Sequence, residues 1–344
     1  MKNYKKKYLE NLKTPSNHLV AEGVTFYGKK CLHCYELLQE NSSDFHEACN
    51  KKFFGQLKTP QLAYDLKDLQ KLATQIIQSQ MAVTGVQAKV SLSLYKKEEK
   101  NLTKKLTIVG LYGDYILKPP SEHYAHLPEL ESVTMHMAAI CGLNVVPHSL
   151  VHLQDNTLCY ITKRVDRTRK SKLHMEDMCQ LSERLTEDKY KGSHEQVAKL
   201  ILKYSSNPLL DVSNFYEQVL FSFFTGNADM HLKNFSLLEK EDSGMVLSPA
   251  YDLVPTILVN PLDKEELALT LNAKKRKLKY NDFLAAYENG GLNKKVLDNT
   301  LELFKYCKPE MFKVLEKSFV DDEFKNKYQK LVNQRYNQLG LNSI

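Results

Sequence analysis

The stretch Gly226-Asn-Ala-Asp229-Met-His-Leu-Lys-Asn234-Phe-Ser-Leu237 follows the most apolar segment of the chain, Val219 to Phe224. An apolar helix that ends on glycine and runs into Asp, His, Lys and Asn has left the core to present polar side chains. Asp229 is followed by Asn234 five residues later. Two short apolar runs, Phe235 to Leu238 and Met245 to Leu247, read as a strand pair. They lead to Ala250-Tyr251-Asp252-Leu253, which places a second aspartate 23 residues after the first.

Working upstream, Tyr115-Ile-Leu-Lys118 is a strand with a lysine at its end, stopped by Pro119-Pro120. Glu131 comes thirteen residues later, in the first turns of an apolar helix. Phosphoryl transfer needs this set of groups. A strand lysine held by a helix carboxylate meets the phosphates, an aspartate orients the attacking hydroxyl, and an asparagine and a later aspartate hold magnesium. The Asp-x₄-Asn spacing and the later Asp follow the logic of a protein-kinase catalytic loop and its metal-binding Asp. Each match is weak alone; four in order are far more specific.

The rest of the chain supports a strand-rich half followed by a helix-rich half. Leu66 to Ser79 has an amphipathic helical period. Val83 and Val90 to Leu94 around Gly85, then Leu106 to Leu111, Asp114 to Lys118, Ser149 to Leu153 and Leu158 to Lys163 read as strands, with a helix at Leu127 to Ala139. After Asp166 the pattern predicts helices at 175–184, 193–204, 211–224, 280–287, 294–305, 309–317 and 321–338. The expected fold class is α+β, a bilobed protein-kinase-like architecture. Its expected units are a basic head with a Cys/His segment over 1–60, a strand-rich N-lobe over 61–165, and a mostly helical C-lobe over 166–344.

Composition excludes several classes. With 42% hydrophobic and 26% charged residues, the 344-residue chain is globular rather than largely disordered. No apolar run is long enough for a transmembrane helix. The Lys-rich start, Met1 to Glu10, leads into no apolar segment, so a secretory signal is not expected and the cytoplasm is. The net charge of +7 is mild, and its clusters at Lys2–Lys13 and Lys274–Lys279 read as a solvated tail and turn. No DNA-binding motif is evident.

Seven cysteines without an export signal argue against a disulfide framework. Cys141, Cys159, Cys179 and Cys307 lie in apolar surroundings and read as core. Cys31-Leu-His-Cys34, eleven residues, then His46-Glu-Ala-Cys49 offer two knuckles that can place four donors round one tetrahedral Zn²⁺. The bland alternative is a chance CxxC with a surface histidine, and His33 is a spare donor.

The chain has no GxGxxG loop, no HRD and no DFG. Instead Thr84-Gly-Val-Gln-Ala-Lys-Val-Ser-Leu92, Tyr115-Ile-Leu-Lys-Pro-Pro-Ser121, Leu127-Pro-Glu-Leu-Glu-Ser-Val-Thr-Met135, Lys163-Arg-Val-Asp-Arg167, the stretch from Gly226 to Leu237, and Pro249-Ala-Tyr-Asp-Leu253 succeed one another. This series resembles the motifs of HipA-type serine/threonine kinases, toxins of bacterial toxin–antitoxin systems, over about residues 60–340. Asp229 to Phe235 is similar to the shorter HipT branch. The resemblance implies ATP and Mg²⁺ as cofactors and Asp229 as catalytic base. It implies that His231, Leu232, Lys233 and Asn234 line the phosphates and a metal, and that Tyr251 and Asp252 bind Mg²⁺–ATP, with Asn234 and Asp252 as the magnesium ligands. Lys118 would meet the phosphates, held by Glu131, with Glu129 as fallback because Leu130 stands where the family usually has Asn. Lys163, Arg164 and Val165 would be the hinge beside adenine. Thr84, Gly85, Val86, Gln87, Ala88 and Lys89 would cover the nucleotide.

In that family the loop can be autophosphorylated on serine and swing out. HipT-like toxins carry two serines there, where this chain has Ala82 and Thr84, leaving Thr84 as the autophosphorylation candidate. The resemblance also implies a HipB-like DNA-binding antitoxin, a small HipS-like subunit as a separate protein, and a host substrate such as an aminoacyl-tRNA synthetase. The alternative function is a catalytically weak, kinase-shaped regulator that binds an antitoxin–DNA complex.

Overall fold

The structure of the chain is a computed structural model. The residues described are 29–39, 43–71, 89–95, 104–109, 113–168 and 171–341. The expected strand at Val83 and the loop residues Thr84, Gly85, Val86, Gln87 and Ala88 lie outside them.

The first half builds a six-stranded sheet from β1 (Gln61–Leu62), β2 (Val90–Tyr95), β3 (Lys105–Ile108), β4 (Tyr115–Lys118), β5 (His148–His152) and β6 (Leu158–Lys163). Its order is β1-β3-β2-β4-β6-β5, antiparallel throughout except the β1–β3 edge pair. Helix α1 (Glu47–Phe54) precedes the sheet and ends at Gly55, whose φ of 69° closes the last turn onto Lys51 O. Helix α2 (Leu127–Ile140) has Pro128 in its first turn, where a missing N–H costs nothing. Its residues Leu130, Val133, Met137 and Ala138 are fully buried. Residues 66–71 are helical, as the period there predicts.

The second half is mostly helical, around a small sheet of β7 (Met175–Asp177), β8 (Ser236–Lys240) and β9 (Gly244–Leu247). Its helices are α3 (Met178–Leu181), α4 (His194–Tyr204), α5 (Pro208–Thr225), α6 (Thr256–Val259), α7 (Tyr280–Asn289), α8 (Lys294–Lys317) and α9 (Asp322–Gln338). Helix α5 carries the aromatic heart of the core: Phe215, Tyr216, Phe221, Phe223 and Phe224 are all buried. No helix among the described residues is long and apolar enough to cross a membrane.

Two expectations are corrected. The helix predicted over 175–184 is instead a strand followed by one helical turn. Met175 to Asp177 pair with β8, and Asp177 then caps α3 through a reciprocal bond with Gln180. An available hairpin edge outweighs local propensity there. The helices predicted over 294–305 and 309–317 are one helix, α8, with Pro309 inside it. Pro309 is exposed, so the backbone group it leaves unpaired meets water, while Phe304, Cys307, Met311 and Leu315 stay buried on the other face.

Helix α5 stops at Gly226, with φ at 70°. A Cβ there would also come within 2.5 Å of Leu331 Cδ2. Gly226→Ala should therefore lose about 1–2 kcal/mol, read as a lower urea midpoint. An unchanged midpoint would contradict this reading of the turn.

Candidate active site

Strand β4 delivers Lys118 to a buried position between two carboxylates. Its Nζ donates to Glu131 Oε1 at 2.6 Å and Oε2 at 2.8 Å, and also to Asp252 Oδ1. Lys89 Nζ reaches the other oxygen of Asp252 at 3.2 Å. Glu131 is brought to Lys118 by α2, which packs across β5 and β6. Asp252 is brought by backbone: Val146 N donates to Ala250 O at 3.0 Å and Ala250 N to Asn144 O at 2.7 Å, stitching its loop to the segment before β5. Asp252 adopts a φ of 60°, a left-handed conformation that Asp tolerates better than most residues but still at a cost.

Burial opposes the charge on Lys118, yet the carboxylates of Asp252 and Glu131 prevail and hold its pKa above the ordinary lysine value. For Glu131 burial wins over the lysine and pushes its pKa up to about 7. Burial also opposes ionisation of Asp252, but the Lys118 and Lys89 ammoniums outweigh it and hold it well below the usual carboxylate range. The pocket thus has one firmly ionised carboxylate, one near its titration point, and a fixed ammonium between them.

Asp229 follows α5. Its N–H donates to Asn227 Oδ1 at 3.1 Å, and its Oδ1 accepts from the Tyr190 hydroxyl at 2.5 Å. Asn234 Nδ2 donates to Asp229 O at 3.0 Å, which leaves the Asn234 side-chain carbonyl as the atom a cation would take. Asn227 Nδ2 lies 3.5 Å from Asp252 O, so this one side chain joins both aspartate loops.

Other expected residues divide. His231 is buried, its ring meeting Tyr190 edge-on at 5.0 Å, and burial lowers its pKa. Leu232 is a core side chain, 1% exposed, and its N–H donates to Lys189 O at 3.1 Å, so it anchors the loop. The Lys233 ammonium pairs with Asp177 at 2.9 Å, and the Tyr251 hydroxyl is committed to Ser236 Oγ at 2.6 Å and Lys233 O at 3.0 Å. Lys233 and Tyr251 therefore brace the loops rather than offer free polar ends. Lys163 N and Arg164 N donate to Pro147 O and Asp114 O, both at 2.9 Å, and Arg164 also grips Asp166. The backbone N–H groups of Lys163 and Arg164 are thus spent within the sheet and on Pro147.

Sequence reasoning missed Asn227 and Tyr190. Asn227 lies within the deciding stretch, and an Asn two residues before Asp229 is an Asx-type turn signal. Tyr190 carries no such signal, because only the fold brings it 39 positions forward.

A second cluster lies apart from this one. One donor atom from each of Cys31, Cys34, His46 and Cys49 lies within 4.8 Å of the others. Thiolates sharing a zinc stand roughly 3.8 Å apart, so the set needs little closure. His46 Nε2 meets Leu37 O at 3.1 Å, which makes Nε2 the protonated nitrogen and frees Nδ1 for a metal. Cys34 Sγ and Cys49 Sγ are already 3.4 and 3.8 Å from that Nδ1. His33 is occupied elsewhere, 3.2 Å from His148 O.

A candidate kinase of Sinorhizobium fredii, Y4dM, is 33% identical over 190 residues, 51% of this chain and 45% of its own. A candidate kinase of Haemophilus influenzae is 29% identical over 287 residues, 75% of this chain and 79% of its own. The serine/threonine-protein kinase toxin HipA of Shewanella oneidensis is 29% identical over 213 residues, 56% of this chain and 47% of its own. The chain thus spans about half the length of the Sinorhizobium and Shewanella relatives. Among solved structures, the Shewanella oneidensis HipA, HipB and operator DNA complex matches with TM-score 0.62 and 24% identity, covering 75% of this chain and 65% of that one. The Helicobacter pylori proinflammatory kinase CtkA matches with TM-score 0.51 and 18% identity, covering 73% and 93%. The HipA-like C-terminal domain family model matches residues 81–309, two-thirds of the chain, and the protein belongs to that HipA family of kinases.

Proposed function

We propose that the protein is an ATP- and Mg²⁺-dependent serine/threonine kinase acting as the toxin of a HipA-type toxin–antitoxin system. The observation that carries this is the meeting of Lys118, Glu131 and Asp252 in one buried group, tied through Asn227 to the loop of Asp229 and Asn234. Magnesium would neutralise charge on the phosphates. Asp252 and Asn234 are the residues that would hold it, and Lys118 and Lys89, which pair with Asp252, are the cations that would meet phosphate oxygens. Glu131 holds Lys118 in place through both carboxylate oxygens. Asp229 is the proton acceptor for the attacking hydroxyl, with Tyr190 and Asn227 setting its orientation.

Lys163 to Val165 form the adenine hinge, and residues 84–89 cover the nucleotide with Thr84 as the acceptor for self-silencing. The host substrate is a protein of translation such as an aminoacyl-tRNA synthetase, and the partners are a HipB-like antitoxin and a small HipS-like subunit. The Cys₃His cluster holds zinc.

Thermal melting with MgATP tests the nucleotide claim. Ligand at 100 times Kd should add about 2.7 kcal/mol of stability. That gain should disappear in Asp252→Asn, and the Mg²⁺-dependent part should vanish with EDTA. No shift at millimolar nucleotide would instead favour a kinase-shaped regulator that binds antitoxin and DNA.

A further inference from the structure

The Cys/His segment does not stand apart from the catalytic half; it leans on the helix that carries Glu131. Tyr35, one residue past the first knuckle, places its hydroxyl 2.6 Å from Ser132 Oγ in a buried contact. Its ring meets His136 on the same helix at 4.7 Å and Phe319 beyond α8 at 5.5 Å. Ser132 is the neighbour of Glu131 in sequence, and His136 lies one turn further along α2. Leu32 O accepts from Leu150 N and Ser149 Oγ on β5 at 3.2 and 3.3 Å. On the far side Lys30 Nζ donates to Lys317 O, the last carbonyl of α8, at 2.9 Å and to Ser318 O just past it at 2.8 Å, and Glu36 pairs with Lys317.

Tyr35 reaches Ser132 from a strained backbone. Its φ is 66°, a left-handed conformation that costs a non-glycine residue energy and persists only where the surroundings enforce it. The enforcing element is the knuckle turn itself, closed by Tyr35 N to Cys31 O at 2.9 Å. A metal gripping Cys31 and Cys34 holds that turn shut. Without it, four thiol and imidazole donors crowd together with nothing to bind them, and the turn loses its reason to keep Tyr35 at positive φ.

We propose that the metal-bound knuckle is a positioning strut for α2, so that zinc occupancy sets whether Glu131 holds Lys118 in place. Tyr35 is the positioning residue, acting through Ser132 and His136; it touches neither nucleotide nor substrate. The activity arm of this proposal rests on the kinase reading above, whereas the structural arm does not.

The test uses full-length protein purified without a metal-affinity step. Metal analysis should find about one zinc per chain. Hydrogen exchange is then followed with zinc, after chelation, and after adding back zinc or magnesium. Residues 127–140 should lose protection on chelation and regain it with zinc alone, while α5 and α9 keep theirs. Tyr35→Phe should retain zinc, lower the melting temperature by about 2 °C through the lost buried hydrogen bond, and raise KM for ATP by up to about five-fold, the most one such bond can transmit to the site. Protein without metal, unchanged exchange over 127–140 after chelation, a uniform loss of protection over the whole chain, or an unchanged KM in Tyr35→Phe would each overturn the strut. Absent ATP binding with the exchange pattern as expected would sink the kinase reading instead and leave the strut standing.

Discussion

Asp229→Asn is expected to lower phosphotransfer by roughly 10²–10⁴-fold, the span general-base catalysis commands, while leaving the fold and MgATP binding intact. The geometry makes this substitution clean. The introduced amide would still accept from the Tyr190 hydroxyl through its side-chain carbonyl, and the backbone N–H at this position would still donate to Asn227. Asn234 contacts the backbone carbonyl of Asp229, which the substitution does not alter. What is lost is the ability to take a proton from the acceptor hydroxyl. Labelled ATP with host-cell lysate, wild type beside variant, measures the effect, and growth arrest on expression should fall with it. Activity within about three-fold of wild type would remove Asp229 as the base and leave it a loop residue.

Lys118→Met should cost both nucleotide binding and about 3–5 kcal/mol of stability, because it strips the shared cation from two carboxylates in a buried pocket. The loss should depend on pH, and its sign follows from Glu131. Even beside the ammonium, burial pushes Glu131 up to about 7, and removing Lys118 takes away the group that lowers it. A carboxyl whose folded pKa lies above its unfolded value contributes stability at low pH that is lost as pH rises through the folded pKa. Below it Glu131 is neutral and tolerates the missing lysine; above it an uncompensated charge is buried. Asp252 behaves oppositely but keeps Lys89 as a partner. The gap in urea midpoint between variant and wild type should therefore be wider at about pH 8.5 than at about pH 6. A gap of the same size, or a reversed order, would mean that Glu131 is not the group paired with Lys118.

Much of the fold is legible in the chain because its signals are local. The alternation of Val90 to Leu94, the stop at Pro119-Pro120 and the Gly226 helix end each depend on neighbouring residues, and each stands where the pattern puts it. The two misread helices fail for non-local reasons: 175–177 is claimed by a hairpin sixty residues away, and Pro309 is tolerated because its defect faces water.

The candidate site divides in the same way. Residue types and order alone single out Lys118, Glu131, Asp229, Asn234 and Asp252, since phosphoryl transfer asks for those groups in that sequence, and the Cys/His spacing alone singles out the four residues of the second cluster. Tertiary structure decides the rest. It shows that Lys118 is shared by Glu131 and Asp252, that Lys233 and Tyr251 are braces, and that Tyr190 reaches Asp229. It also sets the knuckle against the helix of Glu131 through Tyr35. Composition and spacing act along the chain, whereas burial, charge sharing and hydrogen bonds across 39 to 134 positions exist only once the chain has closed on itself.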